Sequence, residues 1–329
     1  MPPGKMTKES PMQSPPSPAA RAAVGPCVSV ILPARNAVDT IDRAVGSVLR
    51  QSLTDLEVIA WDDGSDDATG GLLREIARGE RRLRVFGGRE PVGIPAACNR
   101  ALSLARGRWV TVLDAEDWLG GDRLERMIQI GNEQQADIVL DNQFLCDAVT
   151  GQPMGTVLRP ADQVRALPLR TFLRKSMPRS SGFDYGLLKP VIRRNFLQAN
   201  NIWCNATCQD GYGFVLLLDC FMAGARVLLS NRPGYYRMQP PPGMPARHPR
   251  YDYAAMKLWN DQMVAQYMDI LSEEERDLLV QRGASLDRCA RLFQMPPTRQ
   301  DATRTDPASL PPSRWPSALR ALMRRMGNC

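Results

Sequence analysis

The sequence predicts an α/β protein with a mostly parallel sheet flanked by helices and followed by a helical C-terminal appendage. Over residues 27–118, short apolar runs alternate with helical spacings of apolar residues, which is the pattern of strand–helix–strand units with right-handed crossovers. Polar clusters follow three of these runs. Hydrophobic residues make up 43% of the 329 residues and charged residues 23%, a composition that excludes disordered, collagenous and coiled-coil chains.

Four strands and three helices are expected in this first part. The strands are short and rich in β-branched residues: Val28–Leu32, Leu56–Trp61, Leu83–Phe86 and Trp109–Leu113. The helices have apolar residues three and four positions apart: Asn36–Gln51, Thr69–Ala77 and Ile94–Ala105. Ligands of such sheets bind beyond the carboxyl ends of the strands, where the polar clusters lie.

A further apolar segment, residues 212–230, contains Asp219 and Arg226. A membrane-spanning helix needs about 20 mainly apolar residues, and central charges are costly. The segment therefore predicts a buried amphipathic helix, broken near Gly224 and followed by a short strand.

A helical appendage is expected in residues 241–295, after a domain that we place at 27–240. Residues 253–292 are rich in helix formers. Ser272 and Glu275 fit a capping box, in which two side chains satisfy the free N–H groups at a helix start.

The two ends of the chain are rich in proline and carry most of the charge. Residues 1–26 contain three basic residues and one acidic residue, and residues 296–329 contain six arginines and two aspartates. The net charge of +7 therefore does not indicate a nucleic-acid groove.

Residues 1–26 lack the apolar run of a signal peptide and predict a disordered tail. Residues 314–326 predict a basic amphipathic helix on an anionic membrane surface, or else a solvated helix or a disordered tail.

Cysteine and histidine usage limits the chemistry. The eight cysteines are scattered, which is typical of reduced thiols in a cytoplasmic protein. The single histidine, His248, excludes a histidine-rich zinc site and is interpreted as a loop residue.

Asp114, Glu116 and Asp117 place three carboxylates in four residues after an apolar run. Crowded carboxylates repel one another and are tolerated when a cation lies between them. Oxygen ligands favour Mg²⁺ or Mn²⁺ over zinc. The alternative is a solvated turn that caps a helix starting near Gly121, and the spacing alone leaves both open.

A second acidic turn contains Asp62, Asp63, Asp66 and Asp67. By itself this cluster predicts a turn, because aspartate and glycine are common turn formers. Together with the turn that contains Asp114, it places two acidic turns at one sheet edge, which indicates a binding site. With a metal they predict a site for a nucleoside diphosphate, in which acids hold base and ribose and the cation holds phosphate.

A series of motifs, in the expected order, resembles the GT-A glycosyltransferases of family 2. Residues 27–118 contain VSVILPARN, EVIAWDDGSDDAT and GIPAACNRALSLARGRWVTVLDAEDW, similar to the family's P-x-x-N, VDDGSTDGT and DADDW patterns. Residues 119–240 contain LLKPVIRRNFLQANNI and CQDGYGFVLLLDCFMAGARVLLSNRPGYYRMQ, similar to the acceptor half of bacterial exopolysaccharide members of succinoglycan type.

The resemblance implies a nucleotide-sugar pocket. Asp62 or Asp63 corresponds to the acid that contacts the uracil of a UDP-sugar. The other residues implied in this pocket are Pro33, Arg35, Asn36, Asn99 and Asp114.

The resemblance also implies a metal and a catalytic base. Asp114 and Glu116 take the positions of the metal-linked D-x-D pair, with Asp117 beside them. A bound Mg²⁺ or Mn²⁺ would offset charge on the departing diphosphate. Asp210 takes the position of the base that accepts a proton from the acceptor hydroxyl, so the anomeric centre would invert.

Three departures from the family pattern leave a second hypothesis open. Glu116 replaces an aspartate, Gln209 replaces the glutamate before the base, and Cys98 replaces an arginine common in relatives. A catalytically degenerate member that binds a nucleotide or a partner would also fit. A haloacid-type phosphatase fits less well, because Glu116 and Trp118 break its D-x-D-x-[TV] motif.

The expected function is therefore inverting, metal-dependent, non-processive transfer of a hexose from a UDP-sugar to a lipid-linked oligosaccharide or polysaccharide intermediate. The chain has no Q-x-x-R-W motif, which processive synthases of the family carry. A cytoplasmic protein is expected, with the inner membrane surface as a possible partner and no nucleic acid.

Overall fold

The computed structural model describes residues 25–178, 183–239 and 251–294, and one mixed sheet of ten strands runs through them. Eight strands form a path in the order β3-β2-β1-β4-β9-β6-β10-β5, while β7 pairs with β6 and β8 pairs with β10. The strands are β1 (Val28–Ala34), β2 (Leu56–Asp63), β3 (Leu83–Gly88), β4 (Trp109–Val112), β5 (Trp118–Leu119), β6 (Ile138–Asp147), β7 (Pro153–Thr156), β8 (Val164–Ala166), β9 (Val191–Arg193) and β10 (Val227–Gln239).

Helices cover both faces of the sheet. Along β1, Val30 and Leu32 belong to one buried cluster and Ile31 to another, because successive side chains of a strand point to opposite faces. A 3₁₀ turn spans Tyr185–Leu187. The α-helices are α1 (Ile41–Leu49), α2 (Thr69–Gly79), α3 (Ile94–Ser103), α4 (Arg123–Glu133), α5 (Leu169–Lys175), α6 (Arg194–Ala199), α7 (Tyr212–Met222), α8 (Tyr253–Tyr267) and α9 (Glu273–Gln294).

The expected α/β class is confirmed, and its parallel part comprises β1, β2, β3 and β4. Both neighbours of β1 are parallel to it, and β3 is parallel to β2. Every residue of β1 is buried, as expected for the central strand of a sheet covered on both faces.

The second half of the sheet mixes directions. β9 runs antiparallel to both β4 and β6, whereas β10 is parallel to β6. The break expected near Gly224 is present: α7 ends at Met222, and Gly224, two residues later, has φ +80°. The strand that follows is longer than expected, with 13 residues. The register of its pairing with β6 shifts between Ser230 and Tyr235, the stretch that contains Pro233.

The helices α8 and α9 form a hairpin that packs on α7. The capping box at α9 is confirmed: the Ser272 N–H donates to Glu275 (3.0 Å), and the Glu275 N–H donates to Ser272 Oγ (3.4 Å). Arg282 is buried at 2% exposure. Its guanidinium lies 3.6 Å from the ring centroid of Phe214 and donates to the Ser176 carbonyl at 3.0 Å.

None of the described helices is long and apolar enough to span a membrane. The predictions for residues 1–24, for His248 and for 314–326 lie outside the described residues.

Candidate functional site

The carboxyl ends of β1, β2 and β4 meet at one edge of the sheet. Ala34 and Asp62 are partners at the ends of β1 and β2. The Leu113 N–H, just past β4, donates to the Ile31 carbonyl at 2.9 Å, so Asp114 follows at the same edge. The parallel register therefore gathers both acidic turns, as the sequence predicts.

Asp63 holds the loop that leads into α3. It is 4% exposed, and its two carboxylate oxygens accept hydrogen bonds from the Val92 and Gly93 N–H groups, each at 2.9 Å. Asp62 is half-buried, and its Oδ1 accepts from the Ser65 N–H at 3.1 Å. Of this pair, Asp62 is therefore the more accessible to a ligand.

Asn36 joins the loops that follow β1 and β2. It adopts φ +50°, its N–H donates to Ser65 Oγ (3.1 Å), and its Oδ1 accepts from the Asp66 N–H (3.0 Å). Arg35 beside it is exposed, and Pro33 is buried within β1. Of the three residues, Asn36 shapes the pocket and Arg35 is available to a ligand.

The Asp114 carboxylate is paired with Lys189. The Lys189 Nζ lies 2.8 Å from Oδ1 and 2.7 Å from Oδ2, and the two side chains are 14% and 30% exposed. The Asp114 N–H donates to the Tyr235 hydroxyl at 3.3 Å. The Lys189 ammonium therefore engages both oxygens of the carboxylate that the sequence assigns to metal binding.

Asp117 is buried beneath this pair. Its carboxylate accepts from the Tyr235 hydroxyl (2.6 Å) and from the Met238 N–H (2.8 Å). Burial, and then the nearby charge of Asp114, raise the pKa of Asp117 to about 7, while Arg237 acts in the opposite direction. Asp117 therefore ties the acidic turn to β10 through both carboxylate oxygens.

Glu116 is half-buried, and its turn is fixed from α1. Arg43 donates to the Glu116 carbonyl at 2.9 Å, and its guanidinium stacks 4.3 Å from the Trp118 ring centroid. Within the described parts of the chain, no three His, Cys, Asp or Glu side chains form a group able to hold a metal ion. The three acids are adjacent in sequence, but their carboxylates do not converge.

Asp210 lies in the loop before α7, and the appendage orients it. Its Oδ2 accepts a hydrogen bond from the Asp252 N–H at 2.9 Å. Gly211 adopts φ +79°, and a Cβ there would lie 3.1 Å from the Met256 side chain. The residues that begin α8 therefore support the loop that carries the predicted base.

Asn99 connects α3 to the same loop. Its Nδ2 donates to the Cys204 carbonyl (2.7 Å), and its Oδ1 accepts from the Cys204 N–H (2.9 Å). Its predicted contact with the nucleotide sugar stays a prediction, whereas the contact in the structure is with this loop. The neighbouring Cys98 is buried, and a hydrogen bond with the Cys204 thiol, together with burial, raises its pKa.

Gln209 links the two halves of the site. A Cβ on Gly93 would lie 2.2 Å from the Gln209 Oε1, so the amide packs against the glycine whose N–H binds Asp63. The Gln209 Nε2 donates to the Ala206 carbonyl at 3.0 Å. The residue before the predicted base thus lies next to the loop held by Asp63.

Lys189, Tyr235 and Asp252 are not among the site residues predicted from the sequence. Lys189 is 75 positions from Asp114 and Tyr235 is 118 from Asp117, so local spacing carries no signal for either. Asp252 contributes through its backbone N–H, which any residue other than proline supplies.

One half of the sheet is parallel and has acidic loops at its carboxyl edge. The other half is mixed and carries an acidic loop before a buried helix. This combination defines a GT-A fold. The family model that matches the chain is glycosyl transferase family 2, over residues 29–197, and the chain belongs to this family.

Two curated relatives are from Rhizobium meliloti. Succinoglycan biosynthesis protein ExoO is 31% identical over 64% of this chain and 60% of its own length, and ExoU is 32% identical over 65% and 62%. The chain thus spans about three fifths of the length of these relatives. Residues 1–349 of S. aureus TarS, solved in complex with UDP, have a similar fold, with a TM-score of 0.60, 19% identity, and coverage of 91% of this chain and 86% of that one.

Proposed function

We propose that the chain is an inverting, non-processive glycosyltransferase that moves a hexose from a UDP-sugar to a lipid-linked oligosaccharide or polysaccharide intermediate. The observation that carries this proposal is the contact between Gln209 and Gly93, because it brings the Asp210 loop against the loop held by Asp63. Residues 27–118 would then bind the donor, and residues 119–240 the acceptor.

Donor binding would depend on the two loops that Asn36 joins. Asp62 would accept a hydrogen bond from the uracil, and Arg35 would line the same pocket. The complex of TarS with UDP supports a UDP-linked donor, as a property of that protein.

In the described structure the acidic residues do not form a metal site, because Lys189 pairs with Asp114 and the carboxylates do not converge. If the protein uses Mg²⁺ or Mn²⁺, Asp114 and Glu116 would supply the oxygen ligands. When bound, the ion would offset charge on the departing diphosphate. Asp117 would support the turn from beneath, since Tyr235 and Met238 engage its oxygens.

Asp210 would act as the general base. The Asp252 N–H fixes its carboxylate, and an acceptor hydroxyl would transfer its proton to Asp210 as the oxygen attacks the anomeric carbon from the face opposite UDP. Attack from that face inverts the anomeric centre.

The experiment measures binding and release of UDP with UDP-glucose, UDP-galactose and UDP-N-acetylglucosamine, with and without Mn²⁺. Metal-dependent binding with slow UDP release is expected, because water replaces the acceptor. Tight binding without release, even with membrane extract as acceptor, would favour the degenerate member, a hypothesis supported by the neutral amide of Gln209 beside Asp210.

A lipid-linked acceptor would place the reaction at a membrane surface. The basic segment 314–326 is the proposed contact, where each Lys or Arg near an anionic surface contributes about 1 kcal/mol. Deletion of residues 313–329 is expected to reduce the membrane-bound fraction in flotation with anionic vesicles. An unchanged fraction would contradict this contact.

A further inference from the structure

Tyr251, two residues before α8, is an exposed aromatic residue beside the predicted base. It is 41% exposed. The peptide group that joins Tyr251 to Asp252 contacts the Asp210 carboxylate, because the Asp252 N–H donates to Asp210 Oδ2 at 2.9 Å. The side chain of Tyr251 therefore starts within a few bond lengths of the carboxylate that would accept a proton from the acceptor.

The far end of the Tyr251 ring is held by Arg237 of β10. The Arg237 guanidinium donates to the Tyr251 hydroxyl at 3.3 Å and lies 5.5 Å from the Phe183 ring centroid. Burial opposes the charge of this guanidinium, but Tyr251, Asp117 and Asp114 together raise its pKa. The Tyr251 ring thus extends from the predicted base toward the acidic turn.

The backbone around Tyr251 fixes the position of the ring. Its carbonyl accepts a hydrogen bond from the Tyr253 N–H at 2.9 Å, and the Asp252 carboxylate caps α8 by accepting from the Ala255 N–H at 2.9 Å. The ring centroids of Tyr251 and Tyr253 are 6.1 Å apart, and the rings are inclined at 56°. An exposed aromatic ring that is already ordered loses little conformational entropy on binding, which favours its contact with a ligand.

The surface of this ring is complementary to a sugar ring. A pyranose has a face of C–H groups bordered by hydroxyls, and these C–H groups carry partial positive charge. The face of a tyrosine ring is apolar and electron-rich, so it attracts such groups. The neighbouring Asp210 carboxylate can accept a hydrogen bond from a hydroxyl at the border. Tyr251 and Asp210 together therefore suit a pyranose that stacks on the ring and directs one hydroxyl to the carboxylate.

We propose that Tyr251 is a stacking platform for the acceptor, a hexopyranose whose C–H face lies on the ring while one of its hydroxyls reaches Asp210. This inference rests on the proposed function, in which Asp210 is the base. It narrows the acceptor to a glycan whose terminal hexopyranose has one face made of C–H groups alone, such as glucose or galactose.

The first test is saturation-transfer NMR with methyl β-D-glucopyranoside and methyl β-D-galactopyranoside, with UDP present to fill the donor pocket. Saturation of the protein's aromatic protons should reach the C–H protons of one sugar face. Tyr251→Ala should lose most of this transfer. Tyr251→Phe should retain it, because the ring stays and only the hydroxyl bound to Arg237 is removed. Leu258→Ala, on a leucine of α8 that is 58% exposed, is the matched control and should behave as wild type.

The second test measures the KM for the lipid-linked acceptor in membrane extract, at a saturating concentration of the UDP-sugar. Tyr251→Ala should raise this KM about tenfold, the effect of losing one aromatic contact, and leave the UDP dissociation constant unchanged. Tyr251→Phe and Leu258→Ala should stay close to wild type.

The outcomes separate this inference from the proposed function. A wild type that neither binds UDP nor transfers hexose would overturn the proposed function, whereas saturation transfer that is lost only in Tyr251→Ala would still support a sugar platform. If wild type transfers hexose but Tyr251→Ala keeps both its saturation transfer and its acceptor KM, this inference alone is overturned.

Two further results would also overturn the platform. A lower kcat at unchanged acceptor KM in Tyr251→Ala would assign the residue a structural role in supporting Asp210. Equal losses in Tyr251→Phe and Tyr251→Ala would assign the effect to the hydroxyl and its bond with Arg237, and not to stacking on the ring.

Discussion

At the residue scale, the Asp252 N–H orients the Asp210 carboxylate. The loop that carries Asp210 lies beside the loop that Asp63 holds. Asp210→Asn preserves size and can still accept the Asp252 N–H, but it cannot take a proton. Transfer should fall by about 10²–10⁴-fold, the usual contribution of general base catalysis, while UDP affinity changes by no more than a few-fold. Both are measured by UDP release and by calorimetry.

Asp261→Asn is the matched control, because Asp261 is exposed on α8 and pairs with Lys257. It should leave turnover and UDP affinity unchanged. Wild-type turnover in Asp210→Asn would remove this residue from the role of base.

Asn99 offers a second test, because its predicted and observed contacts imply different kinetics. Asn99→Ala removes two hydrogen bonds to Cys204, at a cost of about 1 kcal/mol each. If Asn99 acts through the loop before Asp210, kcat should fall several-fold while the UDP dissociation constant stays constant. Asn200→Ala, which removes a hydrogen bond between Asn200 and the Phe196 carbonyl in an exposed turn, is the control. A rise in the UDP dissociation constant at unchanged kcat would restore the direct contact with the nucleotide sugar.

At the element scale, the entry to α3 depends on Gly93. Its φ of +86° and ψ of 157° belong to a region that is accessible almost exclusively to glycine. Gly93→Ala should lower the free energy of unfolding by about 1–3 kcal/mol and weaken UDP binding several-fold, because the loop on Asp63 must shift. Chemical denaturation and UDP titration measure the two effects.

Gly71→Ala is the control for this substitution. Gly71 lies within α2 and a Cβ there meets nothing within 4 Å, so alanine should stabilise the helix by up to about 1 kcal/mol. UDP binding equal to wild type in Gly93→Ala would show that this loop does not shape the donor pocket.

The contact between α7 and α8 should be sensitive to pH. Tyr267 donates to Asp219 at 2.7 Å, yet burial dominates and raises the pKa of Asp219. The folded state then binds the proton more tightly than the unfolded state, so stability from this group is present below the unfolded pKa of about 3.9 and is lost as pH rises through the folded pKa. Asp219→Asn should lack this loss, and melting curves of both proteins across this range test it. Parallel curves would contradict the assignment.

Much of the sheet could be predicted from sequence, and the exceptions have physical causes. Strands β1 to β4 follow from the alternation with helices, because each is a short, mainly apolar run bounded by turn residues. The length of β10 could not be predicted, since Pro233 and Gly234 read as a turn but occupy a register shift. A Cβ on Gly234 would lie 2.4 Å from Arg126. Glycine is therefore required at this position because the space is crowded, and not because the chain turns.

Part of the candidate site could likewise be predicted from the sequence, and part could not. The acids at strand ends could be predicted, because parallel topology brings them to one edge. The partners that complete the site, Lys189 for Asp114 and the Asp252 N–H for Asp210, come from distant segments and depend on three-dimensional packing.

At the scale of the whole molecule, Arg282 of α9 joins the appendage to α7 and to Ser176, the residue that follows α5. It donates to Asn260 and Ser176 and stacks on Phe214. Arg282→Met leaves two buried acceptors without this donor, so the free energy of unfolding should fall by about 2–4 kcal/mol. The exposed Arg288→Met on the same helix is the control. A melting temperature equal to that of the control would show that the appendage contributes little.

The measurement that tests the central claim most directly is transfer of labelled hexose from a UDP-sugar to a lipid-extractable acceptor in membrane extract, for wild type and Asp210→Asn with Mn²⁺ present. We expect label in the lipid fraction with wild type, release of one UDP per hexose transferred, and loss of both with the variant. Tight UDP binding by wild type without transfer to any acceptor would contradict the claim and indicate a nucleotide-binding protein without turnover.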